Sequence, residues 1–228
     1  MNFKDMIRTM RFKEDKRPHH QLYTPWGETL DTEHVLEEYP RPQLRRDNYS
    51  ILNGYWDYSI TEKNIIPKKY EGKILVPFSP ESILSGVNRQ LMPNEFLWYR
   101  RTIQIEKIAE NQRCILHFGA VDQFCEIYMN TKKISRHSGG YLPFSIDITK
   151  ELKEGANTLI VKVTDESDTS YHTRGKQKLD RGGMFYTAQS GIWQTVWLES
   201  VSKVHIERLA IRPDIDAETI NINILSEK

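Results

Sequence analysis

The residues best suited to chemistry lie in one polar segment, TDESDTSYHTRGKQ, at positions 164–177. Five of its side chains stand out, two carboxylates, an aromatic ring, a guanidinium and an amide, supplied by Asp165, Asp168, Tyr171, Arg174 and Gln177. Carboxylates accept hydrogen bonds from vicinal hydroxyls, guanidinium and amide groups donate them, and aromatic rings stack on the apolar face of a sugar. These side chains are therefore candidate carbohydrate contacts. A solvated surface loop has the same composition and is the alternative interpretation.

A second polar pair, Asn94 and Glu95, lies just before the predicted strand that Trp98 and Tyr99 open. An amide and a carboxylate just before a strand also suit contacts to sugar hydroxyls. We therefore include Asn94 and Glu95 among the candidate substrate-binding residues, although the pair alone is a weak signal.

Motifs for covalent or phosphate chemistry are missing from the sequence. Gln189-Ser190-Gly191 lacks the first glycine and the following helix of a nucleophile elbow. The glycine pairs 139–140 and 182–183 are not followed by a helix that could bind phosphate at its N-terminus. The pair 19–20 is two histidines without a ligand partner at metal-binding spacing. We predict neither catalytic residues nor metal ligands in this chain.

The charge balance excludes the strongly charged classes of protein. Lys and Arg total 32 against 31 Asp and Glu in 228 residues, so the net charge is +1. We therefore expect neither nucleic acid nor membrane as a partner, because nothing attracts their phosphates. Apolar runs stay well short of the roughly 20 residues that span a bilayer. The N-terminus lacks the apolar core of a secretory signal, which makes a cytoplasmic location the default expectation.

The two cysteines, Cys114 and Cys125, are predicted on neighbouring strands. A disulfide between these two predicted strands is geometrically possible. Buried free thiols are favoured, because the sequence has no secretory signal. His117 lies between the cysteines at a spacing that fits no zinc pattern, so it is interpreted as a core or surface histidine.

Short strands separated by turn residues follow from position 51 onward, which favours a β-sandwich over βαβ units. The predicted strands are 55–60, 73–76, 98–106, 113–118, 123–129, 144–148, 158–164 and 192–199. In the last of these, Ile192, Val196 and Leu198 alternate with Trp193, Thr195 and Trp197. A period of two over this length is typical of a half-buried antiparallel strand.

Both ends of the chain differ from this pattern. Residues 1–48 are charged and interrupted by prolines, and they are interpreted as an arm packed on a sandwich of residues 49–202, with a short helix over the first ten. Residues 205–212 and 219–225 predict two further strands joined by a turn at Pro213-Asp214. Two strands alone are marginal in water. We therefore expect residues 203–228 to begin a second, truncated sandwich.

Six segments occur in a familiar order. They are YPRPQLRRDNYSILNGYWDYSI, VPFSPESILSGV, LWYRRTI, HFGAVDQFCEIYMN, HSGGYLPFSIDIT and QSGIWQTVWLE. Together, over positions 39–201, they resemble the N-terminal sugar-binding domain of family 2 glycoside hydrolases, the group that contains β-galactosidases and β-glucuronidases. The resemblance implies an all-β galactose-binding-like jelly roll, followed by an immunoglobulin-like sandwich and a (β/α)₈ barrel. In this family both catalytic glutamates lie in the barrel.

The resemblance also implies roles for individual residues. Asp168, in SDTSY, is similar to the β-galactosidase aspartate that reaches the galactosyl unit and a nearby sodium ion, and Asn94 corresponds to an asparagine of the same subsite. HSGGYLPFSIDIT resembles the β-glucuronidase pattern more, so the glycone stays open. Trp193 and Trp197 are interpreted as core or domain-interface residues. No cofactor is expected in this chain, although the parent enzyme could use sodium or magnesium.

The resulting hypothesis is a non-catalytic sugar-binding part of an enzyme that hydrolyses terminal β-glycosides. Its expected partners are a β-galactoside or β-glucuronide, the barrel domain of the same protein and, in an oligomer, further copies of it. An autonomous carbohydrate-binding module or lectin is the first alternative. A structural interaction domain is the second.

Overall fold

The computed structural model describes residues 23–226, and β-strands dominate them. One short α-helix, α1 (Pro25–Glu28), begins at the N-cap Thr24, whose Oγ1 accepts a hydrogen bond from the amide of Gly27. The helix predicted for the first ten residues lies outside the described residues. Within residues 23–226, no helix has the length and apolar character needed to cross a membrane.

The strands follow one another with short connections. Their bounds are β1 (Tyr49–Ile51), β2 (Gly54–Thr61), β3 (Gly72–Val76), β4 (Phe96–Ile105), β5 (Gln112–Phe118), β6 (Val121–Asp122), β7 (Phe124–Met129), β8 (Lys132–Ser138), β9 (Phe144–Asp147), β10 (Gly155–Thr164), β11 (Gln177–Lys178), β12 (Tyr186–Thr187), β13 (Gly191–Ile192), β14 (Val196–Ser202), β15 (Ile206–Asp214) and β16 (Thr219–Ser226). Short 3₁₀ turns occur at Pro42–Leu44, Ile83–Ser85 and Ser167–Thr169.

Two antiparallel sheets form the sandwich. One has the order β1-β14-β5-β9 and the other the order β3-β2-β4-β10-β7-β8. Apolar side chains of both sheets meet in one buried cluster, which includes Trp56, Tyr99, Leu116, Phe118, Ile127 and Leu159. The predicted all-β sandwich is confirmed, and the arrangement is consistent with a jelly roll.

The prediction of one continuous strand over 192–199 is wrong, because the structure divides this segment into β13 and β14. Ile192 pairs with Val121 of β6, whereas Val196 pairs with Phe118 of β5. Between these two pairs, the four steps from Ile192 to Val196 lie opposite the three steps from Phe118 to Val121. One extra residue in one of two paired strands is a β-bulge. The bulge keeps Ile192 and Val196 buried while the side chain of Trp193 is 36% exposed.

Two edge strands of the sandwich were missed by the sequence analysis, as were the two-residue strands β6, β11 and β12. The edge strand β8 reads KKISRHS and lacks apolar alternation, since charged residues protect a sheet edge from pairing with other chains. The other, β1, is three residues long and pairs with β14 through Tyr49, Ser50 and Ile51. Short or charged edge strands carry little periodic signal.

Residues 35–46 lie against the four-stranded sheet. Val35 is 2% exposed, and its carbonyl accepts a hydrogen bond of 3.0 Å from Asn53 Nδ2. The fully buried carboxylate of Glu199 anchors the rest of this segment. Its partners, which with it form the Glu199 cluster, are Tyr39 Oη at 2.5 Å, Arg41 Nη2 at 2.5 Å, Arg46 Nη1, Trp197 Nε1 at 3.0 Å and His117 Nε2 at 3.2 Å.

The last two strands form a hairpin of their own. Within residues 23–226, β15 pairs only with β16, and the turn between them is residues 215–218. The predicted Pro213-Asp214 turn is wrong, because Pro213 and Asp214 lie in the ladder opposite Ile220 and Thr219. The carbonyl of Ile206 accepts a hydrogen bond from Arg46 Nη2. The domain boundaries proposed above, 1–48, 49–202 and 203–228, stay a prediction.

Both cysteines are buried and free, as predicted. Burial raises the pKa of Cys114 to about 11 and that of Cys125 to about 12. Since the thiolate is the reactive form, these thiols act as small core side chains.

Candidate functional site

Four loops meet at one end of the sandwich, which we call the loop end. They are residues 77–95, 119–123, 139–143 and 164–190. The pairing of the strands places them together, because Val163 near the end of β10 faces Leu97 at the start of β4, and Thr164 faces Phe124 at the start of β7. Loops that a rigid sheet positions in this way commonly carry binding residues.

The polar segment singled out in the sequence belongs to the longest of these loops. Gln123 Nε2 donates a hydrogen bond to the carbonyl of Thr173 at 3.4 Å, and Gln90 Nε2 donates to that of Leu179 at 3.1 Å. The rings of Phe124 and His172 pack edge to face at 4.8 Å. These contacts hold the loop against the end of the sandwich.

The two predicted aspartates of this loop mainly shape its backbone. Asp165 is 6% exposed, and its Oδ1 accepts a hydrogen bond of 2.8 Å from the amide of Ser167. Burial raises the pKa of Asp165, although the Ser167 amide opposes the shift. Asp168 is half-buried, and its Oδ1 accepts from the amide of Leu179 at 3.1 Å. Both carboxylates are thus engaged with backbone amides.

Tyr171 and Arg174 are more accessible. The side chain of Tyr171 is 92% exposed, and its ring leans on that of His172 at 4.4 Å. Arg174 is half-buried, and its Nη1 donates to the carbonyl of Ser170 at 2.9 Å.

Asn94 and Glu95 lie in a neighbouring loop. Glu95 is buried, accepts a hydrogen bond of 3.0 Å from the amide of Met92 and forms an ion pair with Arg89. Asn94 is exposed. Across the described part of the chain, no hydrogen bond or ion pair joins these two residues to the predicted site residues of loop 164–190.

An open groove of about 610 Å³ runs along the loop end, and we call it the tyrosine groove. Its lining residues are Tyr141, Arg174, Gly175, Lys176, Gln177, Tyr186, Thr187 and Gln189. The parallel pair of β11 and β12 forms one side, where the amide of Tyr186 donates to the carbonyl of Lys176 at 2.8 Å. Gln177 Oε1 accepts from the amide of Gln189 at 2.8 Å, so its side chain is fixed.

Two polar residues of the loop end were missed. Asp122 is 5% exposed and Gln123 is 4% exposed. Burial, with a contribution from the charge of Asp165, raises the pKa of Asp122 to about 7. Gln123 Oε1 has no hydrogen-bond partner among residues 23–226. The available signal was an Asp-Gln pair inside the otherwise apolar run GAVDQFC.

The backbone of Gly140 closes over Asp122. A Cβ added at Gly140 would lie 2.2 Å from Asp122 Oδ1, so only glycine allows this approach. The carbonyl of Gly140 accepts a hydrogen bond of 2.7 Å from Trp193 Nε1, and the ring of Trp193 packs edge to face on Tyr141 at 6.0 Å. Trp193 therefore fastens loop 139–143, whereas Trp197 is buried in the Glu199 cluster.

A buried carboxylate connects loop 77–95 to the Gln-Ser-Gly turn. Glu81 Oε1 accepts from the amide of Leu91 at 3.0 Å and from Ser190 Oγ at 2.7 Å, and its Oε2 accepts from the amide of Ser190 at 3.1 Å. Burial raises the pKa of Glu81 to about 7, against these hydrogen bonds. The sequence analysis did not single out Glu81.

The arrangement suits binding by hydrogen bonds and ring stacking. The acidic groups Glu81, Asp122 and Asp165 are shielded, and none of them lines the tyrosine groove. Within residues 23–226, no group of three or more His, Cys, Asp or Glu side chains is placed to hold a metal ion.

Known proteins with similar sequences are sugar hydrolases. A putative β-glucuronidase of Formosa agariphila is 34% identical over 114 residues, covering 50% of this chain and 13% of that protein. A β-galactosidase of Thermoanaerobacter pseudethanolicus is 28% identical over 112 residues, covering 48% of this chain and 14% of its own length. This chain thus spans about one seventh of the length of these relatives.

The fold is similar to that of a solved β-glucuronidase from an uncultured Clostridium species, with a TM-score of 0.59 and 25% identity over 81% of this chain and 35% of the other. A Lactobacillus rhamnosus β-glucuronidase gives a TM-score of 0.64 at 22% identity, over 83% of this chain and 35% of the other. The family model described as "Glycosyl hydrolases family 2, sugar binding domain" matches residues 80–201. Because that match covers more than half of the 228 residues, the chain belongs to the sugar-binding domain family of the family 2 glycosyl hydrolases.

Proposed function

We propose that this chain is the non-catalytic sugar-binding part of a glycoside hydrolase that removes terminal β-linked sugars in carbohydrate metabolism. The observation that carries the proposal is that none of the residues lining the tyrosine groove is a carboxylate. A glycosidase needs two carboxyl groups that reach the scissile bond from either side. Asp122 and Asp165 are 5% and 6% exposed and lie outside the groove, so neither can reach a glycosidic oxygen.

The glycone of the parent enzyme is proposed from the relatives. Their names include a β-galactosidase and β-glucuronidases, and the solved structures named above are β-glucuronidases. A β-galactoside is the first proposed substrate class, because Asp168 resembles an aspartate of β-galactosidases. A β-glucuronide is the alternative, which the names of most of these relatives favour.

The loop end is proposed to form one wall of the sugar site. Asp165, Asp168, Tyr171 and Arg174 share one loop, and Asn94 with Glu95 lies in the loop tied to it through Gln90 and Leu179. The opposite wall and both catalytic glutamates are proposed to come from a barrel domain of the same protein.

Two experiments test this proposal. The coding sequence beyond Lys228 should continue into a second sandwich and a barrel with two glutamates at strand ends, and a stop codon at that point would contradict it. The purified chain should not hydrolyse nitrophenyl β-galactoside or β-glucuronide. Turnover that Asp122→Asn or Asp165→Asn abolishes would show that this chain carries its own acids.

An autonomous carbohydrate-binding module is the second candidate, because the tyrosine groove is formed entirely by residues of this chain. Calorimetry with free galactose and free glucuronate separates the two candidates. We expect little heat from either monosaccharide, since a site shared between domains offers only one wall here. Tight monosaccharide binding would favour the module.

A further inference from the structure

The tyrosine groove is basic. Its charged lining residues are Arg174 and Lys176, and none of its eight lining residues is a carboxylate. Within residues 23–226, neither cation forms an ion pair. Burial and the charges of Asp122 and Asp165 raise the pKa of Tyr141, so negative charge lies near one side of the groove, although neither carboxylate lines it. An anion that enters the groove therefore meets the two cations of its lining directly.

The guanidinium of Arg174 is held in place before any ligand binds. Its Nη1 donates to the carbonyl of Ser170 at 2.9 Å and to that of His172 at 3.4 Å. In the described residues its hydrogen bonds use only this nitrogen, so Nε and Nη2 remain for a ligand. A fixed guanidinium edge suits the two oxygens of a planar acid group, and less entropy is lost when it binds.

Aromatic rings complete the groove. The side chains of Tyr141 and Tyr186 are 41% and 70% exposed, although both belong to elements fastened to the sandwich. Exposed tyrosines on fixed backbone provide apolar faces for a pyranose ring together with a hydroxyl for hydrogen bonds. The volume of about 610 Å³ lies within the range of about 300–1,000 Å³ that is usual for small-molecule sites.

We propose that the tyrosine groove binds an anionic sugar unit within an oligosaccharide. The sugar ring lies against the tyrosines, and its acid group lies against Arg174 and Lys176. The ligand class is thus an acidic oligosaccharide rather than a neutral one. This inference rests on the proposed sugar-binding function and extends it to a unit beyond the terminal sugar. Carboxylate and sulfate present the same chemistry to these cations.

The test compares three trisaccharides by NMR chemical-shift titration of the 228-residue chain. They are trigalacturonate, the neutral galactotriose and a galactotriose sulfated at O6. We expect the two anionic ligands to bind about fivefold to tenfold more tightly than the neutral one at low salt, as charge-assisted hydrogen bonds allow. The preference should shrink as added salt screens the charges. The ratio between the two anionic arms identifies the acid group that the groove selects.

Matched variants assign the effect to the groove. Lys176→Gln removes one groove cation and should lower the preference for the anionic ligands while neutral binding is retained. Lys178→Gln makes the same change two residues away, where the ammonium lies 4.0 Å from the centre of the Phe185 ring, and should change nothing. Arg174→Gln should lower the preference for the anionic ligands further. If Arg174→Gln does not fold, Lys176→Gln alone still tests the inference.

The outcomes separate this inference from the proposed function. Equal binding of neutral and anionic trisaccharides overturns the inference and leaves the sugar-binding function standing. Absence of binding by all three also overturns the inference, whereas the proposed function is decided separately by the coding sequence beyond Lys228. An equal loss in Lys176→Gln and Lys178→Gln also overturns the inference, because the effect would then come from net charge rather than from the groove.

Discussion

Glu199 is a buried charge whose partners come from both ends of the described chain. Burial alone would raise its pKa, but hydrogen bonds from His117, Tyr39, Trp197 and Arg41 outweigh this and hold the pKa far below its ordinary value. For His117, burial lowers the pKa despite the contact with Glu199, so its ring is mainly neutral near pH 7. The negative charge of Glu199 is therefore matched chiefly by Arg41 and Arg46.

We expect Glu199→Gln to lower the free energy of unfolding by about 3 kcal/mol near pH 7, because it leaves two partly buried arginines without their counter-charge. Urea denaturation followed by fluorescence measures the change. The folded-state pKa is lowered, so the contribution of the carboxylate is present above about pH 4 and fades as the pH falls. Glu110→Gln, at an exposed turn, is the control and should stay within about 0.5 kcal/mol of the parent.

Asp122 should make the fold less stable as the pH rises. Its pKa is about 7 in the folded chain and about 3.9 in an unfolded one. Between these values the folded state keeps a proton that the unfolded state has lost, so stability falls from about pH 4 to about pH 7.

Asp122→Asn removes this titration and should raise the free energy of unfolding at pH 8 by at least about 1 kcal/mol, with little change at pH 4. Urea denaturation at both pH values tests it. Asp216→Asn, in the exposed hairpin turn, should change neither value. A variant that is less stable than the parent at pH 8 would show that the ionised carboxylate has a favourable partner.

At the scale of elements, the Gln-Ser-Gly turn before the bulge decides where β13 begins. Gly191 has a φ of +80°, and a Cβ at this position would lie 2.1 Å from Tyr99 Oη. The same hydroxyl accepts a hydrogen bond of 3.2 Å from the amide of Ile192. Glycine is required both for the backbone conformation and for the close approach.

Gly191→Ala should therefore destabilise the chain more than Gly155→Ala does. Gly155 has a φ of +85°, but its added Cβ would meet nothing within 4 Å, so that variant isolates the backbone strain. We expect Gly191→Ala to cost at least about 2 kcal/mol more, which is the overpacking contribution. Thermal unfolding compares the two. Equal losses would mean that Tyr99 moves aside without cost.

At the scale of the whole molecule, residues 35–46 and the four-stranded sheet stabilise each other through the Glu199 cluster. A chain that begins at Asp47 lacks Tyr39, Arg41 and Arg46, and it leaves Glu199 buried with fewer donors. Groups in one network show interaction energies of about 0.5–3 kcal/mol in double-mutant cycles.

We expect Glu199→Gln to cost less in the chain that begins at Asp47 than in the full chain, by about 1–3 kcal/mol. Urea denaturation of the four proteins of the cycle measures the difference. If Glu199→Gln costs the same in both backgrounds, the arginines contribute nothing and the segment is held by Val35 and its apolar contacts.

The sequence predicted those strands whose two faces differ. In β7, Cys125, Ile127 and Met129 are buried, whereas Phe124, Glu126 and Tyr128 are partly exposed. The sequence did not predict β8, because this edge strand contains lysines and lacks the apolar alternation from which a strand is predicted. It did not predict the bulge at 193–195 either, because the extra residue is defined only by the partner strand.

The candidate site also contains residues that the sequence singled out and residues that it did not. The sequence could single out Asp165, Asp168, Tyr171 and Arg174 as candidates because they share one short segment. Asp122 and the tyrosine groove were not singled out, because the groove joins Tyr141 to residues 174–189, and burial of Asp122 depends on Gly140. The sugar-binding roles of Asn94, Glu95 and the loop residues stay a prediction.

The amino-acid sequence by itself determined the all-β class and the family, because side-chain period and motif order are local properties of the chain. Tertiary structure alone decided which polar groups are buried, which pKa values shift and where a groove forms. Those properties depend on contacts between residues far apart in the chain, such as Gln123 with Thr173 and Tyr39 with Glu199.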